Sequence, residues 1–273
     1  MTTGTLFSPA RAPFDQRTLG RLAQLIRISA LRSLKVRYRG SALGVLWSLA
    51  HPLMLTAVYT VIFGTAFSQY YGGSVPRYIV SAFVGLAVAT FFLNATGEAL
   101  ASVVANGPLL NKIPVPPVVF PLSAVAANLF QQLITTFPIV LLLSIVLARD
   151  PLRALLVPVV LLSILLLSTG FGLALSALYV FYRDLPHLWQ IVGFILWMTS
   201  PLFYPIEVAA PAVRAWFDLN PVAQDMSALR EVVFGHGPIH FQFIWIGLLV
   251  GLVALALGAA LFRATEREFM DLL

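Results

Sequence analysis

The sequence predicts an all-α, polytopic membrane protein of six transmembrane helices, with an amphipathic interface helix before the first span and re-entrant helices before the last. Three observations carry that prediction. Of the 273 residues 59% are hydrophobic and 10% are charged, where a soluble domain carries about 25% charge, and the mean hydropathy is +0.90. Asp, Glu, Lys and Arg are absent from 40–76, 78–97, 113–148, 154–182, 185–206 and 232–262, each run reaching the ~20 residues that cross a ~30 Å hydrocarbon core. Strand-length alternation is missing, and lipid accepts only helices or closed barrels because the backbone must satisfy itself.

Residues 1–15 read as an N-terminal tail. The apolar run that follows the Arg-bearing start is too long for a signal-peptide core, so no cleaved signal is expected. Residues 16–40 read as a cytoplasmic amphipathic helix. At 100° per residue, Arg17, Arg21, Arg32, Lys35 and Arg39 fall within about 60° of one another, and Leu19, Leu22, Ala23, Ile26, Ala30 and Leu34 fill the other side. Such a helix lies in the headgroup plane. Arg27 and Arg37 break the split and face either a partner or phosphates, or the whole helix is a plain anchor.

The transmembrane domain spans 41–265. Its helices are expected near 43–68, 79–104, 119–147, 154–181, 188–204 and 241–262, because even the runs of 37 and 36 residues are too short for two spans and a turn. Residues 205–240 carry Pro205, Pro211, Pro221 and Pro238 with Glu207, Asp218, Asp225 and Glu231, too polar for a span and too apolar for a free loop. Short helices dipping into the outer leaflet fit that composition, provided protein or a wet cavity surrounds them. Residues 266–273 form a C-terminal tail. Six spans put both termini on one side. That side receives twelve of the Lys and Arg residues and the other receives five, which makes both termini cytoplasmic. The net charge of +6 is then a topology and lipid-surface signal, and no nucleic-acid partner is expected.

Several kinds of chemistry are missing. An ion-coupled carrier keeps ionisable groups inside its spans; only Glu98 lies in one, near its cytoplasmic end, and it reads as an end-of-helix carboxylate with no second charge to relay with. There is no G-x-x-x-x-G-K-[ST] phosphate loop, so the chain is not expected to be an enzyme or to bind a cofactor. His51, His187, His236 and His240 have no metal-site spacing, Asp/Glu/Lys/Arg clusters of a transferase are absent, and with zero Cys no metal site is expected. If the chain moves something, another chain must supply the energy.

That requirement turns attention to two short, stiff loops on the cytoplasmic side: 105–118, "ANGPLLNKIPVPPV", and 182–187, "YRDLPH". Proline at this density ends helices and stiffens the backbone. Each loop is either a structural turn or a docking element. Aromatic residues are the other resource. Trp47, Tyr70, Tyr71, Tyr78, Trp189, Phe203, Tyr204 and Trp245 sit at span ends, where an interfacial belt accounts for them. Tyr59, Phe63, Phe91, Phe92, Tyr179 and Trp197 lie mid-span, where they either pack between helices or line a path whose ring faces suit the C–H surfaces of sugars.

The order "KVRYRGSALGVLWSLAHPLM", "PLLNKIPVPPVVFPLSAV", "ALYVFYRDLPHLWQI", "SPLFYP" and "LNP" resembles the permease subunit of type-2 ABC exporters, in the polysaccharide-export branch that covers O-antigen, capsule, teichoic acid and galactan. The resemblance runs over roughly 30–265, with His51 standing where that family has Asn before the proline. It implies a homodimer in the inner membrane of a bacterium above two copies of an ATP-binding subunit, which would hold ATP and Mg. It makes Lys112, Pro114, Pro116, Tyr182, Arg183, Asp184, Pro186 and His187 the elements that meet the ATPase. It places Arg27, Arg32, Lys35, Arg37 and Arg39 at the membrane interface or on lipid phosphate. The implied cargo is a lipid-pyrophosphate-linked polysaccharide. The alternatives are export of a smaller amphiphile, such as a drug or lipooligosaccharide, and a non-transporting scaffold of a glycan synthase.

Overall fold

The computed structural model describes residues 16–110, 112, 115–209, 214, 216–217, 219–235 and 240–272, with side chains from residue 20 onward except 270 and 271. Every regular element among them is helical: α1 Gln16–Arg37, α2 Trp47–Phe67, α3 Val75–Ala105, α4 Val119–Ile134, α5 Thr136–Ala148, α6 Val157–Phe181, α7 Leu185–Thr199, α8 Pro221–Phe234 and α9 Phe241–Thr265, with single-turn helices between and after them.

Four helical stretches are long and apolar enough to cross a bilayer: Gly44–Tyr71, Val75–Ala105, Pro151–Phe181 and Phe241–Thr265. A fifth exists if α4 and α5 count as one, and there the sequence reading needs correction. The continuous helix expected over 119–147 is broken, with a 44° bend at Thr135. Pro138 sits one turn past the break and has no N–H for the Ile134 carbonyl, which is the usual cause of a sharp bend. The helix expected at 188–204 is shorter than predicted and shifted. Leu185 and Pro186 open α7 because a proline is tolerated in the first turn, and α7 stops at Thr199 ahead of Pro201. Its 15 residues reach about 22 Å, short of a ~30 Å core.

α3 is the centre. Ser81 to Ala89 are buried without interruption, and α2, α4, α6 and α8 pack around them. The tightest contact lies one layer out, between α6 and α9. A Cβ on Gly258 would lie 2.1 Å from the Gly170 carbonyl oxygen, and one on Gly170 would lie 2.3 Å from the backbone of Ala254. Here the two backbones touch, as small residues permit where lipid gives helices no hydrophobic drive to associate.

α8 wedges against this pair. Asn220 caps it, accepting from the N–H groups of Val222 and Ala223 ahead of Pro221, and Gly235 closes it at φ +64° in the left-handed region. At 14 residues with Gln224, Asp225, Arg230 and Glu231 on it, α8 is not a span. Asp225 is 1% exposed, and its carboxylate meets Gly247 of α9 and Ser163 of α6: a Cβ on Gly247 would lie 2.6 Å from Oδ1 and 2.7 Å from the Ser163 hydroxyl. Neither carboxylate oxygen completes a hydrogen bond among the described residues. Burial pushes the carboxyl up from 3.8 to about 7, and the Ser163 hydroxyl offsets part of that.

Three outcomes follow from this packing. Gly258→Val forces α6 and α9 apart and sharply lowers the yield and thermal stability of folded protein in detergent. Gly97→Ala, where nothing lies within 4 Å of the added carbon, is neutral or slightly stabilising. The folded state holds the Asp225 proton to higher pH than the unfolded chain does, so stability falls as pH rises from 3.8 to about 7 and then levels off. Thermal unfolding at pH 5 and pH 8 should show that fall, and Asp225→Asn should abolish the contribution from this group.

Candidate translocation groove and coupling loops

Two tryptophans on α7 face the same way because Trp189, Gly193 and Trp197 are spaced four apart. With Tyr59 of α2 and Leu93 and Gly97 of α3 they line an open groove of about 610 Å³. Above it, Tyr59 stacks on Phe203, ring centroids 4.1 Å apart and planes 9° apart; Phe63 stacks on Phe203 at 6.1 Å and on Phe67 at 5.5 Å. An aromatic ladder therefore climbs from the groove to the end of α2. The mid-span aromatics divide. Tyr59, Phe63 and Trp197 belong to the groove and its ladder. Phe91 and Phe92 are 4% and 2% exposed and serve packing, Phe92 edge-on to Phe171. Tyr179 is half-buried on α6 and does not line the groove. Trp189 and Phe203, which a belt reading covers, join the site; the spacing of Trp189, Gly193 and Trp197 on one helix face was the signal for the first of them.

The groove is flanked by apolar surface that this chain leaves uncovered: Leu53, Val61 and Ile62 on α2, and Leu188, Ile191 and Phe194 on α7.

At the end that carries both termini, α1 lies against α4, with Ala30 and Leu34 buried on Ala127. Arg37 forms an ion pair with Glu98 of α3. Asn128 donates to the same carboxylate at 2.8 Å, while Arg37 and Tyr38 donate to the Gln131 side-chain oxygen at 3.2 and 2.5 Å. Five polar side chains from three helices thus close one cluster, so Glu98 is not an isolated carboxylate. Its partner was invisible in the spans because Arg37 lies before the first of them, 61 residues ahead of Glu98. Arg27, Arg32, Lys35 and Arg39 are exposed. Arg37 is exposed as well, but its guanidinium is engaged by Glu98 and Gln131.

The two stiff loops share one base. Leu110 of the first loop and Phe120 just after it pack with Val180, Phe262 and Phe269, with Val115 and Phe181 at the edge. Lys112 and Pro116 are exposed on this base; Pro114 lies outside the described residues, as does His236. In the second loop Tyr182, Arg183, Asp184 and His187 are exposed and Pro186 is half-buried at the start of α7. Arg183 and Asp184 do not pair with each other. The guanidinium reaches the Leu272 carbonyl at 3.4 Å, and the Asp184 carboxylate, although at the N-cap, bonds no backbone N–H. The turn is instead held by backbone, Leu185 N–H to the Tyr182 carbonyl at 3.1 Å and His187 N–H to the Asp184 carbonyl at 3.1 Å. Both charged side chains therefore face outward from a rigid mount.

Residues 24–234 match the family described as ABC-2 type transporter, which covers more than half of the chain. The chain belongs to that family. The matched stretch takes in the ion-pair cluster, the groove and both loops, and stops at the end of α8. Among the proteins that this ABC-2 transporter chain is similar to is the O-antigen export system permease protein RfbA of Klebsiella pneumoniae, 27% identical over 258 residues, 93% of this chain and 97% of that one. A protein of the same name from Myxococcus xanthus is 27% identical over 243 residues, 88% of this chain and 92% of its own length. The capsule polysaccharide export inner-membrane protein CtrC of Neisseria meningitidis is 23% identical over 234 residues, 84% and 86% of the two chains.

With no native cysteine, the α1–α3 contact is open to a direct check. Arg37→Cys combined with Glu98→Cys should be joined by a short bis-thiosulfonate linker in the intact membrane. Arg27→Cys with Glu98→Cys, almost three turns further along α1, should not.

Proposed function

We propose that the chain is the permease subunit of an ATP-driven exporter that moves a lipid-pyrophosphate-linked polysaccharide across the cytoplasmic membrane of a bacterium. The observation that carries this reading is the groove: Tyr59, Trp189, Trp197 and the Phe203–Phe63 ladder form a ring-faced track in a chain with no energy chemistry in its sequence. Sugar C–H faces stack on such rings. The similarity to O-antigen and capsule export permeases points the same way.

In this reading α7 is the fifth of six spans, with the segment after Thr199 finishing the crossing, and the Lys/Arg balance sets both termini in the cytoplasm. A second copy covers the apolar faces of α2 and α7 and closes two grooves into one path. Two ATP-binding subunits, holding ATP and Mg, dock on the base that carries Lys112, Arg183 and Asp184. Because both loops rise from one packed cluster, a push there reaches α6 and α7 without slack. The exposed cations of α1 and the turn after it, Arg27, Arg32, Lys35 and Arg39, face the phosphates of the membrane surface.

The deciding experiment co-expresses the chain with a candidate ATP-binding subunit and follows ATP-dependent movement of lipid-linked glycan into inverted vesicles. A chain that copurifies with no ATPase, or vesicles that hydrolyse ATP without moving glycan, would overturn the reading. Arg183→Ala with Asp184→Ala should insert normally and retain ATP hydrolysis while export falls at least several-fold. Normal export by the double variant would remove the loop from the coupling path.

A further inference from the structure

The end of the bundle opposite the termini holds a second cavity, of about 280 Å³, that the groove and loops leave unused. It lies between the turn after α2, the start of α3, the loop 201–207 and the last turns of α8. Its polar lining includes Tyr70, Tyr71, Ser81, Glu207, Arg230 and Glu231.

Arg230 sets its chemistry. The guanidinium carries five N–H groups. Nε donates to the Ser81 carbonyl at 3.2 Å, and Nη2 to the carbonyls of Pro201 and Leu202 at 2.5 and 3.0 Å. These bonds fix the plane of the fork. Nη1 has no partner among the described residues, and Arg230 forms no ion pair with Glu207 or Glu231. The cation is thus held by neutral carbonyls, with one nitrogen left to serve a ligand.

The other groups complete the set. One Glu231 oxygen is taken by the His240 N–H and ring, both at 2.7 Å, which leaves its second oxygen. The Glu207 carboxylate feels the charge of Arg230 but makes no hydrogen bond among the described residues. The Tyr71 hydroxyl accepts from Ser81 at 3.0 Å and keeps its own proton to donate. The cavity therefore offers fixed donors beside fixed acceptors, flanked by two tyrosine rings. A free anion would face two carboxylates, a cation would face the guanidinium, and an acyl chain would strand all of these polar groups. A hydroxyl both donates and accepts, and a sugar ring presents several of them around an apolar face.

We propose that this cavity is a saccharide-binding site that holds a monosaccharide-sized unit of the glycan at the exit end of the path. The volume is at the small end of ligand pockets, about 300–1,000 Å³, and suits a short saccharide better than a polymer or lipid. The inference deepens the proposed function and rests on it for the identity of the cargo.

The test uses the full chain in lipid nanodiscs and saturation-transfer NMR with the methyl glycosides of glucose, galactose, mannose, rhamnose and N-acetylglucosamine. At least one should receive saturation from the wild-type chain. Glu207→Gln and Tyr70→Ala, both at exposed positions, should each weaken that glycoside about tenfold or more, the scale of a lost charged hydrogen bond. No transfer to any glycoside, transfer unchanged in both variants, or binding of inorganic phosphate alone would each overturn the site. Absent glycoside binding in a chain that still exports glycan removes this inference and leaves the proposed function. Glycoside binding by a chain that exports nothing does the reverse.

Discussion

The backbone contact of α6 and α9 at Gly170 and Gly258 sets the position of nearly everything else. Lipid gives two helices no solvent reason to associate, so close approach and dispersion must hold them. α9 follows α6 along Gly247, Gly251 and Gly258, and the gap opened at Gly247 is filled by Asp225 of α8. α8 in turn presents Arg230 to the start of α3 and to the loop after α7. The floor of the outer cavity is thus three contacts removed from a pair of glycines, and a methyl group at the crossing would be felt there.

The sequence reading worked where one physical signal dominated. Charge-free runs mark apolar helices because charge is costly in lipid, and α2, α3, α6 and α9 were all legible that way. The amphipathic wheel over 17–39 anticipated α1, down to Ala30 and Leu34 on its packed side. The same reasoning could not see Pro138, because a proline within an apolar run leaves the charge pattern untouched while breaking the hydrogen-bond ladder. Nor did it use the Gly247-x-x-x-Gly251 spacing, a small-residue signature legible in the sequence that charge counting ignores.

The site was less legible than the fold, for reasons of distance. Glu98 finds Arg37 from 61 residues away, through a helix outside the spans, and no local pattern announces such a pair. Trp189 and Phe203 sit at span ends, where an interfacial belt is a sufficient reason for an aromatic residue. Only the third dimension shows Phe203 laid flat on Tyr59. Phe91 and Phe92 make the opposite case: mid-span rings that the packing of α3 consumes entirely.

The bend at Thr135 gives two halves of one apolar stretch different allegiances. α4 is fastened to α1 and α3 by Asn128 and Gln131, while α5 packs on α8 and carries none of those bonds. With the hydrogen-bond ladder interrupted between them, the stretch behaves as a jointed rod rather than a stiff one. A load carried by α1 reaches α4 directly through Gln131 and reaches α5 only across the joint.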